Sequence, residues 1–392
     1  MYDEELIIQP SWTLNHHRTP NPSVGSLHLH ADADDAAVFI RQVPGFSETP
    51  LLSLERLGPG GKIYYKDESS RFGVGSFKAL GAIYGLAKAL QTRHHLQNLT
   101  ETVRISSLSR FAEVEVVCAT DGNYGRAVAW AATLFNCRCH IFASNAISRE
   151  RVRAIERYGA KLTVVDGTYE AALSIADVYA RCRNRLLVSD TAYDECIEIP
   201  RHVMCGYALL VDELLSQMGH AELPTHVFLQ VGVGGLAASI IERFLALLGT
   251  SAPRFILVEP VAADCAYQSI RSGQLRDAIG DLNTMAGGLA CGRLSSIAWP
   301  IIQRSVSGAI TVTDREIAAT VRLLASRCGV SSGESGCVGL AGYLSICEIR
   351  SALQSFQIDS TSRLLMIGTE GPVDKAIFDN ILTSDRINAC GI

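Results

Sequence analysis

Residues 67–78 read D-E-S-S-R-F-G-V-G-S-F-K and join a predicted strand, Lys62–Lys66, to a predicted helix, Ala79–Leu90. The two glycines permit a tight turn, and Ser76 is a plausible helix N-cap. Lys78 then falls in the first turn of a helix, where the helix dipole disfavours a cation and so favours the neutral amine. A neutral amine attacks carbonyl groups, so the position suits a Schiff-base lysine; the alternative is a solvated surface lysine.

Length and composition limit the class of protein. With 392 residues the chain is long enough for two lobes, and 48% hydrophobic against 19% charged residues allows a large core. The net charge of -5 argues against nucleic acid as the main partner. The twelve cysteines include no C-x-x-C pair, which favours reduced core residues. The acidic start at Met1–Glu5 and the lack of a membrane-spanning apolar run predict a soluble cytoplasmic protein.

Short β-rich runs alternate with helical runs along most of the chain, which is typical of a parallel α/β sheet. Residues 1–45 differ, and predict a loose arm with one short helix at Asp32–Gln42. The strands predicted after the lysine turn are Val114–Cys118, Cys139–Phe142, Lys161–Val165, Leu186–Val188, His226–Val231, Phe255–Glu259 and Arg363–Ile367. The predicted helices are Gly125–Phe135, Ser148–Tyr158, Tyr169–Arg183, Val203–Met218, Leu236–Leu248, Asp314–Ser326 and Val338–Leu353.

A second candidate site turn is formed by residues 118–126. It reads C-A-T-D-G-N-Y-G-R and lies between a predicted strand and a predicted helix. Backbone N–H groups at such a helix N-terminus bind anions such as a carboxylate. Asn123 could donate a hydrogen bond to a ring oxygen, and an ionised Asp121 could accept a proton. The alternative is an Asx-type cap without a ligand.

A third turn, residues 232–237, reads G-V-G-G-L-A after a strand and opens a helix. Its glycines let the backbone approach a phosphate, which the helix dipole also favours. The same letters fit the dinucleotide fingerprint G-x-G-x-x-A, with Glu259 near the end of the next strand as a ribose-binding acid. A nicotinamide enzyme therefore stays an alternative, as does tight helix–strand packing without a ligand.

Three acidic loops complete the candidate site. Glu334 lies in S-S-G-E-S-G at residues 331–336, and could face a cofactor ring or cap a helix. Residues 368–374, G-T-E-G-P-V-D, follow the last strand and could meet a heterocycle. Asp190 follows the strand at 186–188, where α/β proteins place ligand groups; helix capping is its alternative.

Taken together and in order, these stretches resemble the fold-type II pyridoxal-phosphate enzymes, the tryptophan-synthase-β family. Within that family the resemblance is closest to the ammonia-lyases that act on 2,3-diaminopropionate. It covers residues 45–380, and one glycine loop alone would be weak evidence. The segments that carry it are residues 66–81, 119–132, 189–193 with Ile199-Pro200, 224–235, 258–265, 285–292, 332–336 and 368–374.

The resemblance implies a role for each site residue. Lys78 matches the lysine that holds pyridoxal 5'-phosphate covalently, and Asn123 matches the asparagine beside the phenolic oxygen of the cofactor. The other implied cofactor contacts are Phe77, Gly232, Val233, Gly234, Gly235, Leu236, Glu334 and Thr369. The implied substrate contacts are Thr120, Asp121, Tyr124 and Asp190, of which Asp121 and Asp190 would join Lys78 in catalysis. No metal is implied.

The resemblance also implies architecture and activity. The fold would be α/β with two lobes, each a mostly parallel twisted sheet flanked by helices, and the cofactor in the cleft between them. Residues 1–79 and 216–392 would form the large domain, and residues 80–215 the small one. The reaction would be an α,β-elimination that turns 2,3-diaminopropionate into pyruvate and ammonia in a homodimer. Lys78, or Asp121 from the opposite face, would take the α-proton.

Two departures from the family pattern bear on the substrate. Tyr124 replaces the usual histidine of D-G-N-H-G, and residues 368–374 replace the usual S-T-E-G-D-T-D. The serine, aspartate and threonine that the family places near the ring nitrogen are therefore missing, although Thr369 could supply a hydroxyl. Three alternatives stay open: a β-replacement synthase, a serine or threonine dehydratase, and a pyridoxal-phosphate-binding protein without turnover.

Overall fold

A computed structural model describes residues 11–19, 29–54, 57–101, 111–120, 122–145, 147–182, 185–193, 196–219 and 222–388. Asp121 lies outside these ranges. Within them the strands form two sheets, which confirms the predicted α/β class. The sequence-based domain boundaries at 79/80 and 215/216 stay a prediction, although the strands of each sheet fall on one side of them.

The larger sheet has seven strands in the order β1-β10-β9-β8-β11-β3-β2. Its five inner strands run parallel, and β1 and β2 pair antiparallel at the two edges. The strands are β1 (Trp12–Leu14), β2 (Leu51–Leu54), β3 (Lys62–Asp67), β8 (His226–Gln230), β9 (Arg254–Pro260), β10 (Gly308–Val312) and β11 (Arg363–Gly368). The smaller sheet is parallel, in the order β6-β5-β4-β7. It comprises β4 (Glu115–Thr120), β5 (Arg138–Ser144), β6 (Lys161–Val165) and β7 (Leu186–Leu187).

Helices cover the faces of both sheets, and the largest hydrophobic core packs together the helices that begin at Lys78, Glu198 and Gly235. Seven helices that lie wholly within the described ranges are α1 (Leu29–Ile40), α2 (Lys78–Arg93), α3 (Asn123–Leu134), α4 (Arg149–Glu156), α5 (Tyr169–Cys182), α6 (Glu198–Tyr207) and α7 (Leu209–Gln217). The next seven are α8 (Gly235–Leu248), α9 (Cys265–Ser272), α10 (Trp299–Ser305), α11 (Asp314–Leu323), α12 (Val338–Ile346), α13 (Arg350–Phe356) and α14 (Lys375–Asn388).

The strand order brings the predicted turns together. Strands β8, β11 and β3 are parallel neighbours, so the loops that follow them meet at one edge of the sheet. These loops carry Gly232, Thr369 and Lys78. In the smaller sheet β4 and β7 are neighbours, and their carboxyl ends lead to Thr120 and Asp190. One place in the fold therefore collects all three predicted turns.

A group of buried charges, which we call the buried charge cluster, holds the turn before Lys78. It comprises Lys66, Glu68, Arg71 and Glu213, whose ion-paired side chains are 0% exposed. The Arg71 guanidinium lies 2.8 Å from a carboxylate oxygen of Glu68 and 2.8 Å from one of Glu213. The Lys66 ammonium lies 2.7 Å from Glu213. The two cations balance the two anions, so the charges are buried as a neutral set.

Two predicted helices are each divided in the structure. The helix predicted at 203–218 begins earlier, at Glu198, and bends at Ala208 into α6 and α7. Apolar residues continue across the bend because both helices face the core, so the periodicity carries no sign of it. The helix predicted at 338–353 divides at Ile349, whose backbone is extended (φ −97°, ψ 91°). Neither Gly nor Pro marks that break.

Three further observations concern membrane-spanning helices, cysteines and metal sites. None of the helices in the described ranges is long and apolar enough to cross a membrane. Five of the eleven described cysteines are buried. A group of three or more histidine, cysteine or carboxylate side chains able to hold a metal ion does not occur among the described residues.

Candidate active site

A cleft with about 920 Å³ of space, partly open to solvent, lies where the carboxyl ends of the two sheets face each other. Lys78, Gly232 and Thr369 reach it from the larger sheet, and Thr120 and Asp190 from the smaller one. Every predicted cofactor contact lines the cleft except Glu334. The predicted substrate contacts Thr120, Tyr124 and Asp190 line it too, while Asp121 lies outside the described residues. These residues therefore share one space, and their individual roles stay predictions.

Lys78 is the first residue of α2, and its amine is paired with the carboxylate of Asp190. Its Nζ atom also lies 5.4 Å from the ring centroids of Phe77 and Tyr124. The predicted N-cap is only partly right. The Ser76 hydroxyl accepts the backbone N–H of Lys78 at 3.3 Å, but the residue at the N-cap position is Phe77. The amine thus lies between an acid and two aromatic rings, and its side chain is only 19% exposed.

The glycine turn at residues 232–235 ends at the N-terminus of α8, and residues 232–237 all line the cleft. Gly234 has a left-handed backbone (φ +89°), which residues with a Cβ atom adopt only at a cost. The first N–H groups of a helix have no partner inside it, and the helix dipole favours an anion there. The Val233 carbonyl accepts the N–H of Ser295 at 2.8 Å, which fixes the outer side of the turn. This end of the cleft is suited to a phosphate group.

The hydroxyl of Thr369 is oriented by a buried amide. Gln230 Nε2 donates to the Ile367 carbonyl at 2.7 Å and to Thr369 Oγ1 at 3.1 Å. The carbonyls of Ser335 and Gly336 also lie within 3.3 Å of this nitrogen, so its neighbours are acceptors and the orientation of the amide is fixed. Because Thr369 Oγ1 accepts from Gln230, its own hydrogen is free to be donated to an acceptor in the cleft, such as a ring nitrogen.

Most of the chain matches a known family. Residues 43–354 match the family model of pyridoxal-phosphate dependent enzymes. The chain belongs to this family. It is 34% identical to diaminopropionate ammonia-lyase of Salmonella typhimurium over 374 residues, which cover 90% of this chain and 92% of the relative.

Solved structures of pyridoxal-phosphate dependent enzymes show the same similarity. Escherichia coli diaminopropionate ammonia-lyase in complex with an aminoacrylate-PLP azomethine reaction intermediate superposes with a TM-score of 0.87 at 30% identity. That match covers 96% of this chain and 98% of the relative. The same enzyme in complex with D-serine gives a TM-score of 0.88 at 30% identity over the same shares. The predicted family, the fold-type II architecture and the pyridoxal-phosphate cofactor are confirmed.

Replacing Gly234 with alanine tests the phosphate-binding turn of this pyridoxal-phosphate dependent enzyme. A Cβ atom there would lie 3.0 Å from side-chain atoms of Ile302 and Leu294, and φ is +89°. The left-handed backbone alone costs an alanine about 1–2 kcal/mol. We expect the turn to shift into the cleft and the dissociation constant of pyridoxal phosphate to rise about tenfold, equivalent to about 1.4 kcal/mol. Titration of the cofactor-free protein measures it.

Gly249→Ala is the matched control for Gly234→Ala. Gly249 follows the other end of α8, also has a left-handed backbone (φ +54°), and a Cβ atom there would meet nothing within 4 Å. It carries a similar backbone strain far from the cleft. We expect it to lower the free energy of unfolding in urea without changing cofactor affinity. Equal cofactor affinity in both variants would contradict the assignment of the phosphate to the turn.

Glu370 is a cleft residue that the sequence reasoning did not single out. One of its carboxylate oxygens accepts the backbone N–H of Ser335 at 3.2 Å, and the other contacts the side-chain amide of Asn123. Arg126 donates to the amide oxygen of Asn123 at 3.1 Å. Burial raises the pKa of Glu370, although Arg151 and Arg126 oppose the shift. Asn123 is therefore held between a carboxylate and a guanidinium, which fixes the orientation of its amide. Its contact with the cofactor stays a prediction.

Glu334 occupies a different place from the one that the resemblance implied. It is buried and does not line the cleft, whereas its neighbour Ser335 does. Burial, and then the charge of Glu370, raises the pKa of Glu334 to about 7. Its Oε1 atom has no hydrogen-bond partner within the described ranges. Glu334 thus lies behind Glu370, and a direct contact with the cofactor ring stays a prediction.

The turn after β4 is shaped by Thr120, whose hydroxyl accepts the N–H groups of Gly122 at 3.0 Å and Gly125 at 2.9 Å. This bonding leads the chain directly into α3, where Asn123 is the first residue and Tyr124 the second. Thr120 therefore has a structural role in addition to lining the cleft. A substrate contact through its hydroxyl hydrogen stays a prediction.

The nicotinamide alternative fails at Glu259. Its two carboxylate oxygens accept the N–H groups of Ala266 at 3.0 Å and Tyr267 at 2.8 Å, at the start of α9. The residue is 1% exposed, and burial raises its pKa to about 8. This acid caps a helix and does not reach the cleft, so it cannot bind a ribose there.

Several residues that line the cleft were not predicted. Four of them, Gly287, Gly288, Leu289 and Cys291, lie in the glycine-rich loop at 285–292. The composition of this loop is unusual, but the sequence alone assigns it no role. Tyr169 and Tyr207 lie on helices α5 and α6, where an aromatic residue is ordinary core material. The full set of unpredicted lining residues is Ala119, Gly122, Arg151, Tyr169, Tyr207, Gln230, Ala237, Gly287, Gly288, Leu289, Cys291, Ser335 and Glu370.

Proposed function

We propose that this pyridoxal-phosphate dependent enzyme catalyses α,β-elimination of ammonia from 2,3-diaminopropionate. The observation that carries the proposal is the pairing of the Lys78 amine with the Asp190 carboxylate between the phosphate-binding turn and Asn123. The two relatives named above, both diaminopropionate ammonia-lyases, support the choice of substrate. With one water, 2,3-diaminopropionate yields pyruvate and two molecules of ammonia.

Each residue has a defined task in this proposal. Pyridoxal phosphate, when bound, supplies an electron sink for the negative charge that develops at the α-carbon of the substrate. Lys78 Nζ takes the α-proton, and the Asp190 carboxylate beside it holds a proton or the charge of the ammonium that forms. The N–H groups at the start of α3 bind the substrate carboxylate. Asp121 lies outside the described residues, so its role as the base on the opposite face stays a prediction.

A screen of pyruvate release from the purified, cofactor-loaded protein tests the function. The compounds are 2,3-diaminopropionate, serine and threonine, each as the L- and D-isomers. We expect one diaminopropionate isomer to give the highest kcat/KM, because a β-ammonium leaves without further protonation. Faster release from serine or threonine would favour a dehydratase. A new amino acid formed with an added thiol would favour a β-replacement synthase, and no pyruvate from any compound would leave a binding protein without turnover.

We further propose that the chain acts as a cytoplasmic homodimer on small amino acids. Support for the homodimer comes from the resemblance, and support for a small amino acid comes from the D-serine complex of the Escherichia coli enzyme. Light scattering of the purified protein measures the oligomeric state. A monomer at working concentration would contradict the proposal.

A further inference from the structure

Two tyrosines that line the cleft have hydroxyls without a hydrogen-bond partner among the described residues. These are Tyr124, which is 4% exposed, and Tyr207, which is 1% exposed. The hydroxyls of Tyr65 and Tyr84, by contrast, donate to Ser332 and to the Asp32 carbonyl. Leaving a buried hydroxyl without a partner costs about 1–3 kcal/mol. Such a pair in one site calls for a ligand that completes its hydrogen bonds.

Tyr124 lies beside the lysine, and Tyr207 lies beside Phe77, the residue before it. The Tyr124 ring centroid is 5.4 Å from Lys78 Nζ, and the Tyr207 ring packs 4.7 Å from the ring of Phe77. Tyr207 reaches this position because residue 81, one turn after Lys78, is a glycine. A Cβ atom on Gly81 would lie 2.4 Å from the Tyr207 ring. The resembling segment at 66–81 therefore includes a glycine that makes room for this phenol.

We propose that the Tyr124 and Tyr207 hydroxyls form, with Asp190, the subsite that binds the polar β-substituent of the substrate. This inference rests on the proposed function and adds specificity-determining residues to it. The N–H groups at the start of α3 are assigned to the α-carboxylate, and Lys78 serves the α-carbon. The β-position is then the part of the substrate left to meet these hydroxyls.

The chemistry of the three groups suits a β-ammonium. Burial, and then the negative charge of Asp190, raises the pKa of both phenols well above its ordinary value, so they stay neutral. Each phenol oxygen accepts a hydrogen bond, and Asp190 offers a negative charge, so together they match the donors of an ammonium group. A β-hydroxyl would fill the same subsite with fewer hydrogen bonds. Tyr124 is also where this chain departs from the histidine that the family pattern favours.

Tyr124→Phe and Tyr207→Phe test the subsite, because each keeps the ring and removes only the hydroxyl. Three quantities are measured: the Michaelis constant for diaminopropionate, the inhibition constant for alanine, which lacks a β-substituent, and the melting temperature of the cofactor-free protein. We expect the Michaelis constant to rise about tenfold, which corresponds to one lost hydrogen bond to a charged group. We expect the inhibition constant for alanine to change by less than about twofold, because alanine makes no contact with the subsite. The melting temperature should stay equal or rise.

Tyr84→Phe is the control, because its hydroxyl has a partner outside the cleft. We expect it to lower the melting temperature and to leave both constants unchanged. Equal weakening of binding for diaminopropionate and for alanine, or no change in either, would overturn the subsite. So would a fall in melting temperature as large as that of Tyr84→Phe. If the wild-type protein releases no pyruvate, calorimetric dissociation constants replace the Michaelis constant, so failure of the activity and failure of the subsite remain distinguishable.

Discussion

Replacing Lys78 with alanine is expected to abolish covalent attachment of pyridoxal phosphate and to lower pyruvate release by roughly 10²–10⁴-fold from the lost base alone. Its amine is the one amino group among the described residues that line the cleft. It lies at the start of α2, within 5.4 Å of two aromatic rings and in contact with Asp190. Under the proposed function, the variant loses both the nucleophile that binds the cofactor and the group that takes the α-proton.

Borohydride reduction followed by peptide mapping measures the attachment directly. In the wild-type protein the label should fall on the peptide that contains Lys78. Lys88→Ala is the control, since Lys88 lies on the same helix and does not line the cleft. It should keep its colour, its label and its turnover. A Lys78→Ala protein that stays yellow after dialysis and still releases pyruvate would refute the role of this lysine.

The sequence predicted those parts of the site that lie on strand-to-helix turns. Turns of this kind depend on glycine and on short polar residues, and parallel neighbours bring them to one edge. Lys78, Asn123 and the 232–235 turn could therefore be placed before the structure was known. The resemblance added the cofactor, which no pattern of hydrophobicity or spacing specifies.

Other parts of the site depend on contacts that periodicity does not record. Tyr207 lies on α6, in a run of apolar residues that reads as core, and only its packing against Gly81 brings it to the cleft. Glu370 was part of a noted loop, but its contact with Asn123 joins the carboxyl end of β11 to the start of α3. The sequence alone does not distinguish Glu334 from Glu370 as the acid that lines the cleft, because both stand among small residues. Burial and long-range pairing, which decide between them, appear only in the folded chain.

The buried charge cluster is expected to have a large effect on the free energy of unfolding. Arg71 donates to both Glu68 and Glu213, and Lys66 pairs with Glu213. Burial opposes the charge on Glu213, but hydrogen bonds and charge from Arg71, aided by Lys66, outweigh it and lower the pKa of Glu213. Because this pKa is lowered, the contribution of the carboxylate to stability is present above the ordinary value of 4.5 and is lost as the pH falls through the lowered value.

Arg71→Met is therefore expected to lower the free energy of unfolding at pH 7 by about 3–5 kcal/mol, because it leaves two buried carboxylates with one cation. Urea unfolding at several pH values measures it. The variant should regain part of the deficit as the pH falls from 7 toward 4.5, because burial raises the pKa of a carboxylate that has lost its cation, and protonation then removes the uncompensated charge. Its remaining folded fraction should also bind cofactor more weakly, because Arg71 anchors the turn that leads to Lys78.

Lys62→Met supplies the comparison, because Lys62 lies at the start of β3, the strand that leads to the buried charge cluster. Lys62 pairs with Glu222 at 2.7 Å, but the two side chains are 58% and 39% exposed. An exposed pair of this kind contributes only about 0–1 kcal/mol, because water screens it. Equal losses in the two variants would mean that burial does not set the strength of the cluster. A deficit in Arg71→Met that stays constant from pH 7 to pH 4 would show that lost packing, and not unpaired charge, destabilises the turn that leads to Lys78.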